Sequence, residues 1–326
     1  MDSRLPPGPV YVFRGSSSPI NVVKFAPVCV SDGGLLAAGS SKGIISLWDL
    51  KTKRVCSSLD SHNGKGILGL ETTSNLNLIS HGRDGFINSW DLSEGGLSHT
   101  TKLACPVFGF CKFSILQKDD KLWLATASEQ QSQIDIINLD SKECIHTIKC
   151  EENMTYGMCM CVKLFLCPST RQPKVLAGYE DGFLRLWDVG SGKMESQLKV
   201  HSESVMCIDF DENLHKVVTG SADDKLVVSN FSSQNTLTIH KSIELKRPGV
   251  ASVKIRGDTK LLSVGCWDGR IRIYSWKTLK PLAVLNYHSK TVNSLDFSAL
   301  LPDNGMLMAA GSKDCRISLW SLYNDS

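Results

Sequence analysis

A long apolar run is missing from this chain. Nothing in its 326 residues approaches the ~20 consecutive apolar residues that a membrane-crossing helix needs, so a membrane is not an expected partner. Blocks of like charge are missing too. Lysine and arginine are scattered, the formal net charge is only +3, and no basic stripe alternates with aromatic residues, which leaves nucleic acid without an electrostatic footprint. The first ten residues carry Pro6, Pro7 and Pro9 but no apolar core of the signal-peptide kind. The expected location is cytoplasmic, with the nucleus open as a second compartment.

Catalytic signatures are equally scarce. There is no G-x-S-x-G elbow, no G-x-x-x-x-G-K-[ST] phosphate loop and no H-E-x-x-H helix. The twelve cysteines crowd most closely at Cys144, Cys150, Cys159, Cys161 and Cys167, without the C-x-x-C pairs typical of structural zinc. In a reducing compartment they are expected to be inert, buried thiols. No metal, no cofactor and no enzymatic activity are expected.

What the chain does have is a repeat. AAGSSKGIISLWDL from Ala37, LAGYEDGFLRLWDV from Leu176 and AAGSKDCRISLWSL from Ala309 align without gaps. Each reads as a short apolar strand, a polar turn, and an alternating strand ending in Trp. Weaker copies begin at Ile79, Val218 and Leu262, and the most degenerate runs from Leu124 to Leu139. The Trp position is then Trp48, Trp90, Ile137, Trp187, Ser229, Tyr274 and Trp320, with steps of 42, 47, 50, 42, 45 and 46 residues. Four-stranded propeller blades repeat every ~40–45 residues. The expected fold is therefore all-β, a seven-bladed WD-repeat β-propeller over residues 10–326, with residues 1–9 a short disordered segment. A lone strand, Val10 to Arg14, is expected to complete the last sheet and leave no open edge. A monomer is expected.

Blade two holds His62, Ser80, Asp84 and Trp90, a set that invites comparison with a hydrolase triad. The set recurs in reduced form: His201, Thr219 and Asp223 in blade five, with Ser229 at the Trp position, and His288, Asp314 and Trp320 in blade seven, with Ala310 at the hydroxyl position. A catalytic triad has no reason to recur decayed along a chain, whereas a buried polar relay that fixes strand packing does. These ten residues are expected to be structural. The glycines Gly43, Gly85, Gly182 and Gly269 fall at turns that need φ > 0.

Partner-binding residues are expected where the relay needs nothing. The position before the turn Asp carries Arg83, Glu180, Trp267 and Lys313, which in a propeller lie near the channel mouth on one face. Trp267 suits a binding anchor; its alternative is a ring packed against the next blade. The opposite face is expected to carry the longer connections Gln117–Lys121, Leu166–Pro173 and Leu300–Gly305.

WDGRIRIYSWKTLKPLAVLNYH from Trp267, AAGSKDCRISLWSLY from Ala309, AGYEDGFLRLWDV from Ala177 and PGVASVKIR from Pro248 resemble the guanine nucleotide-binding protein subunit beta-like protein 1 family. The resemblance extends from Val12 to Tyr323 and takes in fungal ASTRA-associated WD-repeat proteins. It implies a co-chaperone adaptor that supports the maturation and stability of phosphatidylinositol-3-kinase-related kinases, and so DNA-damage signalling. Pairing with a G-protein γ subunit is not expected, because about nine proline-broken residues precede the first strand and hold no heptads. The alternative is a substrate receptor of a cullin-type ubiquitin ligase. Its motif wants Arg shortly after Trp-Asp, where Trp48-Asp49-Leu50 is followed by Lys51.

Overall fold

Second strands such as Pro173–Tyr179 and Leu307–Ser312 are buried along their whole length, outer ones such as Met194–Lys199 alternate, and among the described residues all the regular structure is strand. The computed structural model describes residues 7–27, 34–106, 109–150, 156–301 and 305–324, and no helix occurs among them. The strands form seven four-stranded sheets, the blades of a WD-type β-propeller. Residues 1–6 of the expected disordered segment and 302–304 of the Leu300–Gly305 connection lie outside the described residues.

The chain comprises two compact units, Met1–Ala104 with Lys254–Ser326, and Cys105–Val253. The first unit contains β1 (Tyr11–Phe13), the sheet β2 (Ile20–Phe25), β3 (Leu35–Ser40), β4 (Ile44–Asp49), β5 (Val55–Asp60), and the sheet β6 (Ile67–Thr72), β7 (Asn77–Gly82), β8 (Phe86–Asp91), β9 (Ser98–Ala104). The second contains β10 (Ser114–Lys118), β11 (Lys121–Ala127), β12 (Ile134–Asn138), β13 (Glu143–Ile148); then β14 (Cys159–Leu166), β15 (Pro173–Tyr179), β16 (Phe183–Asp188), β17 (Met194–Lys199); then β18 (Val205–Asp211), β19 (Lys216–Ser221), β20 (Lys225–Phe231), β21 (Leu237–Glu244). A sixth sheet begins with β22 (Val250–Ile255), which spans the division, followed by β23 (Leu261–Cys266), β24 (Arg270–Ser275) and β25 (Pro281–Asn286). The seventh has β26 (Val292–Phe297), β27 (Leu307–Ser312) and β28 (Ile317–Ser321), with β1 in fourth place.

The repeat falls on one register. Trp48, Trp90, Ile137, Trp187, Ser229, Tyr274 and Trp320 each lie opposite an apolar residue of the preceding strand, from Leu36 and Leu78 to Met308. In the first six blades a β-bulge against the fourth strand begins at that residue, which adds local twist. The degenerate stretch from Leu124 is thus a blade of ordinary construction.

Glycine marks where successive sheets touch. A Cβ on Gly39 would come 2.8 Å from Ile67, one on Gly178 2.6 Å from Val205, and one on Gly311 2.6 Å from Ile20. At these three places the second strand of one blade gives up its side chain to seat a β-branched residue of the next blade's first strand.

The N-terminal strand pairs with β28 as Tyr11 with Leu319, Val12 with Ser318 and Phe13 with Ile317. It is shorter than the stretch Val10 to Arg14 read from sequence, although the Val10 amide still reaches Leu319 O at 2.8 Å. Phe13 anchors it, buried with Leu319 and Leu307 and with its ring centroid 4.9 Å from that of Trp48.

Candidate functional site

In blades two, four and seven the turn between the second and third strands lies beside the loop that enters the first. The main chain ties them together: Arg83 N–H donates to Gly66 O, Glu180 N–H to Met158 O and Lys313 N–H to Thr291 O, each at 2.9 Å. In blades two and seven a turn Asp and a loop His are thereby brought face to face. Glycine serves this turn because φ is near +75° at Gly43, Gly85, Gly182 and Gly269.

Blade two shows the whole relay. His62 Nδ1 lies 2.7 Å from Asp84 Oδ1, His62 Nε2 lies 2.8 Å from Ser80 Oγ, and Trp90 Nε1 donates to Ser80 Oγ at 2.9 Å. Gly82 makes the room, since a Cβ there would meet His62 Nδ1 at 2.3 Å. In blade five His201 Nδ1 is 3.0 Å from Asp223 Oδ2 and Nε2 is 3.0 Å from Thr219 Oγ1. The Ser229 hydroxyl takes no part; it is buried without a hydrogen-bond partner among the described residues. In blade seven His288 Nδ1 is 3.0 Å from Asp314 Oδ2.

Blade seven also corrects the reading that Ala310 leaves the relay without a hydroxyl. Ser318 supplies it, 2.7 Å from His288 Nε2 and accepting from Trp320 Nε1 at 2.7 Å. Ala310 and Ser318 are cross-strand partners, so the hydroxyl has moved one strand over and still fills the same place.

Burial pushes His62, His201 and His288 below the ordinary histidine value, against the opposing pull of Asp84, Asp223 and Asp314. Burial would raise Asp314, but contact with His288 and the amides of Ser289 and Arg316 brings it below the usual carboxylate value. Near pH 7 the imidazoles are neutral. Nδ1–H donates to the carboxylate, Nε2 accepts from the hydroxyl, and in blades two and seven the hydroxyl accepts from the indole. Every hydrogen of that chain is used, and Ser80 and Ser318 have no exposed surface. Such an arrangement holds strands together and offers a substrate no nucleophile.

Two blades solve the same problem with arginine, a feature missed in the sequence. Arg185 forks onto Asp181 at 3.1 and 2.7 Å, and Arg272 onto Asp268 at 3.2 and 2.8 Å. Both arginines occupy the strand position that Ser318 fills in blade seven, four residues after the turn Asp. Tyr156 packs under Arg185, with the guanidinium carbon 3.7 Å from the ring centroid. The strings DGFLR and DGRIR carried this signal.

The residues before the turn Asp differ in availability. Trp267 is 43% exposed, so its ring is not packed away against a neighbour. Arg83 and Lys313, in the same unit, are exposed as well. Glu180, in the other unit, is engaged locally: its Oε2 accepts the Met158 N–H at 3.0 Å, and it closes over Gly157. The thiols of Cys159, Cys161 and Cys167 are buried while Cys144 is exposed, and burial pushes Cys105 up to about 12. At the far end of its sheet the Leu166–Pro173 connection folds as a tight turn, with Arg171 N–H on Cys167 O at 2.8 Å.

Comparison with known proteins adds the following. Residues 7–49 and 279–321 match the family model described as WD domain, G-beta repeat, and residues 100–255 match that of the LRRK2 beta propeller. The chain is 41% identical over 321 residues to a mouse protein named guanine nucleotide-binding protein subunit beta-like protein 1, covering 98% of this chain and 97% of that one. It is 28% identical to ASTRA-associated protein 1 of Schizosaccharomyces japonicus, covering 97% and 99%, and 26% identical to the Aspergillus flavus protein of that name, covering 98% of each.

Proposed function

Because the chain belongs to the guanine nucleotide-binding protein subunit beta-like protein 1 family, we propose that it is a non-catalytic scaffold, a co-chaperone adaptor for the maturation and stability of phosphatidylinositol-3-kinase-related kinases. The observation that carries the scaffold role is the fate of its hydroxyl, His and Asp groups. Three times over a Ser or Thr hydroxyl, a His and an Asp are buried and spent on one another, while the conspicuous side chain at an exposed turn is the indole of Trp267. Aromatic side chains at such positions are favoured anchors for protein partners. Likeness to proteins named as ASTRA-associated over almost the whole chain supports membership of a multi-protein assembly. The kinase clients, the DNA-damage role and the cytoplasmic and nuclear location follow from the family resemblance. The propeller acts as a monomer within that assembly.

Affinity capture of the tagged full-length chain from cells, read by mass spectrometry, tests the proposal. Co-chaperone subunits together with the large kinases should be enriched over a control propeller. A cullin with its adaptor in their place would make the protein a ligase substrate receptor, and recovery of neither group would remove the adaptor role.

A further inference from the structure

The first and last repeats share one apolar cluster, which includes Phe13, Ile20, Val23, Phe25, Leu307 and Leu319, and two sets of hydrogen bonds with no residue in common. One is at the outer edge of the last sheet, where β1 adds to β28 through three residue pairs and the Val10 amide. The other is on β26. Asn293 Nδ2 donates to Ile20 O at 2.8 Å, Val23 N–H donates to Ser294 Oγ at 3.1 Å, and Phe25 N–H donates to Asp296 Oδ2 at 2.9 Å. Strand β2 comes first in its sheet, so the amides of alternate residues point away from β3 and need partners from outside. Side chains of β26 supply them, from 271 residues away in sequence. Val23, Ser294 and Asp296 are all buried, which leaves no water to replace a lost bond.

Asp296 also sits in a row of alternating charge. Its Oδ1 is 3.7 Å from Lys254 Nζ and 3.9 Å from Lys24 Nζ, and Lys24 Nζ is 2.6 Å from Glu71 Oε2. Lys254, Asp296, Lys24 and Glu71 are each the fifth residue of a first strand, in β22, β26, β2 and β6. A one-residue slip of β26 against β2 would turn Asp296 away from both lysines and from the Phe25 amide together.

We propose that this junction carries two separable clasps: an outer one made by β1, and an inner one in which Asn293, Ser294 and Asp296 hold β2 in register. The inner clasp keeps the first and last repeats joined when the outer strand lets go. The edge of β28 is thus a detachable edge, and loss of β1 is a local event.

Native-state hydrogen exchange on the full-length protein reads the clasps apart, through the Val10 amide for the outer and the Val23 and Phe25 amides for the inner. Val10 is expected to exchange at least ~100-fold faster than the other two, as a sub-global opening does. Deleting residues 1–14 should leave Val23 and Phe25 protected to within about threefold, and Asp296→Ala should speed Phe25 while leaving Val10 unchanged. If all three amides exchange at one rate in the full-length protein, the junction has a single clasp and the proposal falls. If the deletion yields a folded protein in which Val23 and Phe25 are exposed, it falls as well. Should the deleted protein fail to fold, the full-length rates and the Asp296→Ala rates decide.

Discussion

Ala310 and Ser318 face each other across paired strands, and Ser318 supplies to His288 and Trp320 the hydroxyl that Ala310 lacks. The exchange makes a direct prediction. Ser318→Ala leaves a buried imidazole nitrogen and a buried indole N–H without partners and should cost about 1–3 kcal/mol. Adding Ala310→Ser should return part of it, because blade two places its hydroxyl on that strand. Chemical denaturation of the three proteins gives the comparison. A double variant no more stable than the single one would show that the two positions are not interchangeable.

Asp84→Ala removes the acceptor of His62 Nδ1. Loss of about 1–3 kcal/mol is expected, seen as a lower melting temperature. An unchanged melting temperature would show that blade two does not depend on its relay.

The relay histidines also set a pH dependence. Their folded-state values lie below the ordinary one, so below about pH 6.5 the unfolded chain binds more protons than the folded one. Stability is full above that value and is lost as the pH falls toward the depressed values. Melting midpoints should hold from pH 7.5 to about 6.5 and decline from there to pH 5.5. A midpoint that stays level or rises toward acid would mean that the imidazoles are charged in the fold.

Blade contacts can be tested at glycine. A Cβ on Gly39 would lie 2.8 Å from both Ile67 Cγ2 and Val22 Cγ1, and overpacking of this kind costs about 1–3 kcal/mol. Gly257 has nothing within 4 Å of the same atom, so Gly257→Ala should stay within about 0.5 kcal/mol of wild type. Equal effects on urea unfolding would contradict the packing role of Gly39.

The blades are legible in the sequence because one position near the end of each third strand recurs opposite an apolar residue of the second. That register survives even where Ile137 or Ser229 stands for Trp. The relays of blades two and five are legible for a related reason: a loop His and a turn Asp recur 22 residues apart in both. Blade seven hides its hydroxyl because Ala310 and Ser318 are neighbours only through strand pairing. The inner clasp is hidden more deeply still. Asp296 and Phe25 are joined by the meeting of the two ends of the chain, and no local pattern foretells it. The contact of Glu180 with the Met158 N–H is hidden too, because its partner is a main-chain amide, which every residue but proline carries.

We propose that the polar networks build the propeller and that partners are gripped at an exposed turn. Trp267→Ala tests it most directly, with a melting curve and a quantitative partner capture made on the same preparation. The indole is 43% exposed, so the variant should melt as wild type does. Loss of an anchor worth about 2 kcal/mol should weaken capture of the main partner roughly thirtyfold. Full-strength capture by a variant that melts normally would contradict the account.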